Sequence, residues 1–269
     1  MRLAVAATAP FGAAVLEGLA TTHEIEFLLT RPDRPQGRGR RVAPPAAKEV
    51  ARRLGIRVEQ PEWLDIFPGE ADVVVVAAFG VLIPARLLEE RLWLNVHPSL
   101  LPRWRGAAPV ERAIMAGDRE TGVTIHRTTP ELDAGPMAAQ RAFPLAPEDD
   151  AGAVFERAAL VAVELLDDVL PSPPFVPQPE EGVTYAEKIR PADRELDWTR
   201  PPEENVSRVR ALSPHIGAWG IVGGRRLIVW RARVAARDAA LAEGGVELVE
   251  VQPEGGRRMA AAEYLRGLR

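Results

Sequence analysis

The sequence predicts an α/β chain: a doubly wound, mostly parallel sheet, then a smaller, mostly β domain. Three observations predict it. Short apolar runs alternate with helical patterns through the first two-thirds of the chain. One run, "ADVVVVAAF" at 71–79, is apolar on both faces, as a strand covered by helices on either side must be. After "PSPPFVPQPEEG" at 171–182, with five prolines in twelve residues, the pattern changes to strands punctuated by turns. Strands that alternate with helices imply crossover connections and so a parallel sheet.

The elements follow in order. "RLAVAA" (2–7) reads as a buried strand, 11–20 as a helix, "EIEFLLT" (24–30) as a second strand and 45–54 as a second helix. The apolar run at 71–79 is the third strand, and "RLWLNV" (91–96) another, followed by a helix near 108–116. "TGVTIHRTT" (121–129) alternates apolar and polar residues, which suits a strand with one wetter face. A helix near 151–170 completes this part. The proline-rich stretch is stiff and extended, a linker. Beyond it, 197–212 reads as an extended stretch and a short helix, and 217–234 as a hairpin turned at Gly223-Gly224. "GVELVEVQP" (245–253) is one more strand, and 259–268 a terminal helix. The domain limits are therefore 1–175 for the first domain, 176–200 for the linker and 201–269 for the second.

Composition narrows the chemistry. The 269 residues include no cysteine, which excludes disulfides, thiolate metal sites and cysteine nucleophiles. His23, His97, His126 and His215 have no ligand-like spacing, so no metal is expected. The N-terminal apolar run is broken by Pro10 and Gly12 and reads as strand, turn and helix rather than a signal peptide. No apolar run has bilayer-spanning length, so the expectation is a cytosolic, cytoplasmic protein without a membrane partner. The net charge of −4 is uneven: +3 over 190–269 and −7 before it. Within the acidic part, "RPDRPQGRGRR" (31–41) holds five arginines against one aspartate. A polyanionic partner touched at a few points and a merely solvated loop both fit that segment.

The turn after the first strand, "ATAPFG", lacks the G-x-G-x-x-G that brings backbone to a pyrophosphate. G-x-x-x-x-G-K-[ST] and G-x-S-x-G are absent too, and Ser99, in "HPSLLP", suits a hydrogen-bonding turn better than a nucleophile. What remains is a site at the carboxyl ends of the strands. Asn95 and His97 flank one strand end, and Asp133 follows the next strand in a turn-like L-D-A-G. An amide donor, a titratable imidazole and a carboxylate suit acyl transfer without a covalent intermediate. A buried histidine capping a turn is the competing reading of Asn-x-His.

"NVHPSLLPRWRGAAPVERAI", "AGDRETGVTI" and "ELDAGPM" resemble the folate-dependent formyltransferase domain. "RPDRPQGRGRR", "VVAAFGVLIP" and "VTYAEKIRPADRELDW" resemble, within that superfamily, the methionyl-tRNA formyltransferase family. The resemblance covers the chain to about residue 234. It implies a Rossmann-like catalytic domain and an OB-like second domain, and formyl transfer from 10-formyltetrahydrofolate to the methionyl amine of charged initiator tRNA. It implies Asn95, His97 and Asp133 as catalytic residues. Phe79, Gly80, Val81 and Leu82, with Ser99, Leu100, Leu101 and Pro102, would hold the folate. Arg34, Arg38, Arg40 and Arg41 would contact tRNA, with Arg38 as the wedge. A monomer is expected. Two departures stand out: "ATAPFG" replaces a pattern closer to G-T-P-x-F, and 235–245 is short where fuller members carry more strands, so the second domain is abbreviated. A sugar-nucleotide or glycinamide-ribonucleotide formyltransferase, a formyl-folate hydrolase and an RNA-binding protein with a vestigial folate site are the alternatives.

Overall fold

The computed structural model describes residues 2–36, 41–236 and 241–267. In chain order the elements are β1 (Leu3–Ala7), α1 (Pro10–Leu19), β2 (Ile25–Leu29), β3 (Arg34–Gln36), β4 (Arg41–Ala43), α2 (Ala46–Arg53), β5 (Arg57–Glu59), β6 (Val73–Ala77), α3 (Ala85–Glu90) and β7 (Leu92–His97). There follow β8 (Arg105–Gly106), α4 (Pro109–Met115), β9 (Glu120–Arg127), β10 (Met137–Pro144), α5 (Ala151–Val169), β11 (Tyr185–Ala186) and α6 (Pro202–Leu212). The last are β12 (Ala218–Val222), β13 (Arg225–Val234), β14 (Ala242–Glu243), β15 (Val246–Pro253), β16 (Met259–Ala260) and α7 (Ala261–Arg266).

The chain divides into two compact units. The first comprises 1–105, 122–142 and 155–185; the second comprises 106–121, 143–154 and 186–269. The segment read as a linker, 176–200, is thus shared between them, parting at Tyr185 and Ala186. Up to that point it is tied to the first unit: Val176 and Met137 exchange backbone hydrogen bonds of 2.8 and 2.9 Å. No helix among the described residues is long and apolar enough to cross a membrane.

The main sheet has the order β10-β9-β7-β6-β1-β2-β5. β5, β2, β1, β6 and β7 run parallel, and β9 reverses against β7. β1 and β6 lie at the middle and are buried on both faces, which explains their unbroken apolar sequences. Strand order reverses between β1 and β6, where open α/β sheets leave a crevice at the carboxyl ends. Packing there is close. A Cβ on Gly12 would collide with the Ala77 carbonyl oxygen, and Thr8 Oγ1 donates to the Phe79 carbonyl at 2.8 Å. α1 therefore sits hard against the strand ends.

The sequence reads 31–41 as an exposed loop whose prolines and glycines disfavour a central strand. In the structure β3 and β4 pair as a two-stranded antiparallel ribbon, with Pro35 opposite Val42. Proline is confined to edges, and in a two-stranded ribbon each strand has one, so the missing N–H costs no ladder bond if it faces outward. The ribbon's base is anchored by Lys48, a buried residue, whose Nζ donates to Asp33 Oδ1 at 2.6 Å and to Gln60 Oε1 at 2.5 Å. The hydrogen bond from Lys48, then that from Gln60, holds the Asp33 carboxyl below the usual carboxylate range.

In the second unit, β12, β13, β15 and β14 form a sheet in that order, with β16 added against β15. Gly223 and Gly224 turn the β12–β13 hairpin, both at positive φ (55° and 76°), as its two-residue loop requires. Val209, Leu212, Leu227, Val229, Leu248, Val251 and Tyr264 close its core against α6 and α7.

Candidate active site

β7 builds the site by simple alternation. Trp93, Asn95 and His97 point to one face, Leu94 and Val96 to the other. Trp93 is buried in the core beneath, so the same face carries an apolar anchor at its start and polar groups at its carboxyl end. The antiparallel neighbour β9 sets His126 opposite Asn95 and Thr124 opposite His97. Cross-strand partners share a face. Four polar side chains therefore converge at one strand end.

Asp133 arrives from the loop between β9 and β10. Its backbone is left-handed (φ 47°), a conformation that aspartate tolerates better than most residues. Its carboxylate lies among the strand residues: Asn95 Nδ2 donates to Oδ1 at 3.2 Å, His97 Nδ1 lies 3.7 Å from Oδ2, and His126 Nε2 lies 3.7 Å from Oδ1. Asn95, His97 and Asp133 are thus brought together. His126 completes the cluster and was missed from sequence; its ring is tilted edge-on to that of His97, with centroids 6.3 Å apart.

Hydrogen bonding fixes what each group can do. His97 Nε2 lies 2.8 Å from the Trp104 carbonyl oxygen, which can only accept, so Nε2 carries the hydrogen. In the neutral ring Nδ1 then holds a lone pair on the side facing Asp133. Burial pushes the His97 imidazole below the ordinary histidine range; Asp133 and the Trp104 carbonyl oppose this, and His126 adds to it. The result is a neutral base beside a carboxylate that would stabilise its protonated form. His126 Nδ1 faces the Arg127 carbonyl oxygen at 3.0 Å, leaving Nε2 to accept from Asn95 Nδ2 at 3.0 Å. Both amide hydrogens of Asn95 are engaged within the cluster.

The turn after β7 is a scaffold. Ser99 is fully buried, its hydroxyl donates to the Arg103 carbonyl at 2.8 Å, and its own carbonyl accepts from Thr124 Oγ1 at 2.7 Å. This is the turn role expected from sequence, and it leaves the Ser99 side chain committed. Leu101 is buried, while Leu100 and Pro102 are half-buried. At the end of β6, Phe79 is buried, Gly80 is exposed in a left-handed conformation (φ 67°), Val81 packs on the core and Leu82 is 87% exposed. Arg34 and Arg41 are exposed on the ribbon stems. Arg38 and Arg40 lie outside the described residues.

The chain is similar to known proteins over its whole length. Residues 1–170 match the model of the family described as formyl transferase, and 188–245 match its C-terminal domain. The chain is 40% identical over 291 residues to a methionyl-tRNA formyltransferase of Paracoccus denitrificans, covering 100% of this chain and 98% of that protein. It is 41% identical over 303 residues to that of Chromobacterium violaceum, covering 99% and 96%. Among solved structures, HypX from Aquifex aeolicus in complex with tetrahydrofolic acid superposes with a TM-score of 0.66 at 20% identity, over 98% of this chain and 46% of that longer one. The sugar 3N-formyl transferase WlaRD superposes with a TM-score of 0.66 at 14% identity, over 92% and 96%. At those identities the likeness is one of fold.

Proposed function

We infer function from a plain premise: the chain belongs to the formyl transferase family, and over its whole length it is similar to methionyl-tRNA formyltransferases. It transfers a formyl group from 10-formyltetrahydrofolate to the α-amino group of methionyl initiator tRNA, a task of the cytoplasm. The observation that carries this reading is the meeting of Asn95, His97 and Asp133 at the end of β7, with His97 held neutral.

Bond formation requires a neutral amine, which must lose a proton as it attacks the formyl carbon. His97 Nδ1 takes that proton, and Asp133 stabilises the imidazolium formed. As the tetrahedral intermediate collapses, His97 returns the proton to the departing folate nitrogen, so none is gained or lost overall. Negative charge on the formyl oxygen is met by Asn95, which gives it the hydrogen now held by Asp133, the longer of its two bonds at 3.2 Å against 3.0 Å.

The strand ends fit a flat ring. A Cβ added at Gly80 would meet nothing nearer than the Arg31 guanidinium carbon at 3.7 Å, so a ligand can approach the backbone there. Phe79 to Leu82 form one wall of the folate slot and Leu100 to Pro102 another, with Ser99 holding the second wall's turn rather than touching folate. On the tRNA side, Arg34 and Arg41 of the ribbon contact phosphates, as do Arg38 and Arg40, which lie between them in sequence, and the second domain also binds the RNA.

The pH dependence of formyl-methionyl-tRNA formation tests this reading. The amine's own titration gives one proton of slope. Because the His97 value is lowered, a second proton appears only below about pH 6.5, the unperturbed histidine value. Asp133 raises the His97 value, so in Asp133→Asn the second proton appears at still lower pH, measured on whatever rate remains. A steepening at or above pH 6.5, or its absence in both proteins, would remove His97 as the base.

A further inference from the structure

The proline-rich segment carries a residue that the transfer chemistry has not used. Gln178 lies between Pro177 and Pro179, two residues after the Val176–Met137 backbone pair that ties the segment down. Its Nε2 donates to the Asp133 carbonyl and to the Gly135 carbonyl, both at 2.8 Å. Its Oε1 accepts from Arg105 Nε at 3.1 Å and Nη2 at 2.6 Å. The Arg105 backbone N–H in turn donates to the Thr184 carbonyl at 2.9 Å, further along the same segment. One amide therefore joins the Asp133 loop to an arginine that is itself fixed.

We propose that Gln178 is a positioning residue for formyl transfer, strapping the β9–β10 loop so that the Asp133 carboxylate stays against Asn95, His97 and His126. The proposal rests on the catalytic reading of Asp133 given above. The loop needs such a strap. Asp133 occupies a left-handed backbone conformation, which has a local cost that neighbours must outweigh. Gly135 has no room to shift, since a Cβ there would collide with the Arg127 carbonyl oxygen. Gln178 holds the carbonyls of both residues, and so fixes the Asp133–Ala134 and Gly135–Pro136 peptide planes. The prolines flanking it fix φ at both neighbours, so the side chain reaches the loop from a stiff support. An open cleft of about 510 Å³ runs along this junction, lined by Arg105, Glu131, Ala134, Gln178 and Glu180, so the strap is also within reach of solvent.

The test uses the full-length protein with Gln178→Ala and Gln178→Glu, the second isosteric but without the two N–H donors, and Asp133→Asn alongside. An ångström of misplacement costs on the order of 10²-fold, so kcat should fall about 10–100-fold in both Gln178 variants. KM for 10-formyltetrahydrofolate and for methionyl-tRNA should stay within about twofold, because Gln178 acts through Asp133 rather than on either substrate. As Asp133 drifts from His97, the second acid proton should appear at lower pH, in the direction of Asp133→Asn. Unchanged kcat in both Gln178 variants would overturn the proposal. So would a loss that tracks only the folded fraction, or one that leaves the acid limb in its wild-type place. If Asp133→Asn also kept full kcat, the catalytic reading itself would fall.

Discussion

Replacing Asn95 or His97 with alanine is expected to slow formyl transfer by ~10²–10³-fold in single turnover, the usual cost of one donor aimed at a developing oxyanion for Asn95 and within the usual cost of a general base for His97. The reason is differential. A fixed amide hydrogen or a neutral imidazole does little for bound substrates, but it meets charge that appears only as the new C–N bond forms. Asp133→Asn should be comparably slow, because it keeps shape while removing the charge that stabilises protonated His97, which lies 3.7 Å away. The three substitutions should not multiply, since the residues act as a unit. Each is also expected to leave the fold intact, because none of the three belongs to the apolar cluster beneath β7. A histidine that only caps a turn would give the opposite pattern: lower thermal stability, with activity per folded molecule preserved. Near-normal single-turnover rates in all three variants would put the chemistry elsewhere.

Trp93→Ala should show that opposite pattern at its strongest. Trp93 is 1% exposed, stands edge-on to Phe67 with ring centroids 5.8 Å apart, and donates from Nε1 to the Leu87 carbonyl at 2.7 Å. Truncation removes a large buried ring and leaves a cavity, a loss of roughly 3–5 kcal/mol. The Leu87 carbonyl also loses its indole partner. For a domain of this size that corresponds to a fall in Tm on the order of 10 °C, read by thermal denaturation. Trp93→Phe keeps most of the volume and loses the hydrogen bond, so it should cost about 1–3 kcal/mol. A melting temperature for Trp93→Ala within about 2 °C of wild type would mean that this core does not anchor β7.

How far the site is legible in sequence depends on whether a residue's neighbours are local. Asn95 and His97 are two apart on a strand, so alternation alone puts them on one face. The apolar run of β6 marks a strand covered on both sides without any knowledge of its partners. His126 is different. Its place opposite Asn95 depends on β9 running antiparallel to β7, a reversal inside a mostly parallel sheet that no local pattern announces. The alternation in "TGVTIHRTT" signals a wetter face, but not which strand that face meets. The Trp104 carbonyl, which fixes the His97 tautomer, has no side-chain signature at all. Gln178 was hidden by composition: five prolines read as a spacer, and the polar residue among them gives no sign of its distant partners. The same proline bias concealed the β3–β4 ribbon, because prolines weigh against strands in general but not against the edges of a two-stranded one.

The most direct measurement offers 10-formyltetrahydrofolate to the full-length protein with methionyl initiator tRNA, uncharged tRNA and an amino-sugar nucleotide in parallel, and follows formyl incorporation into each. The account predicts rapid formylation of the charged tRNA alone, at the methionyl nitrogen. Formylation of the amino sugar, with the charged tRNA left unmodified, would contradict it.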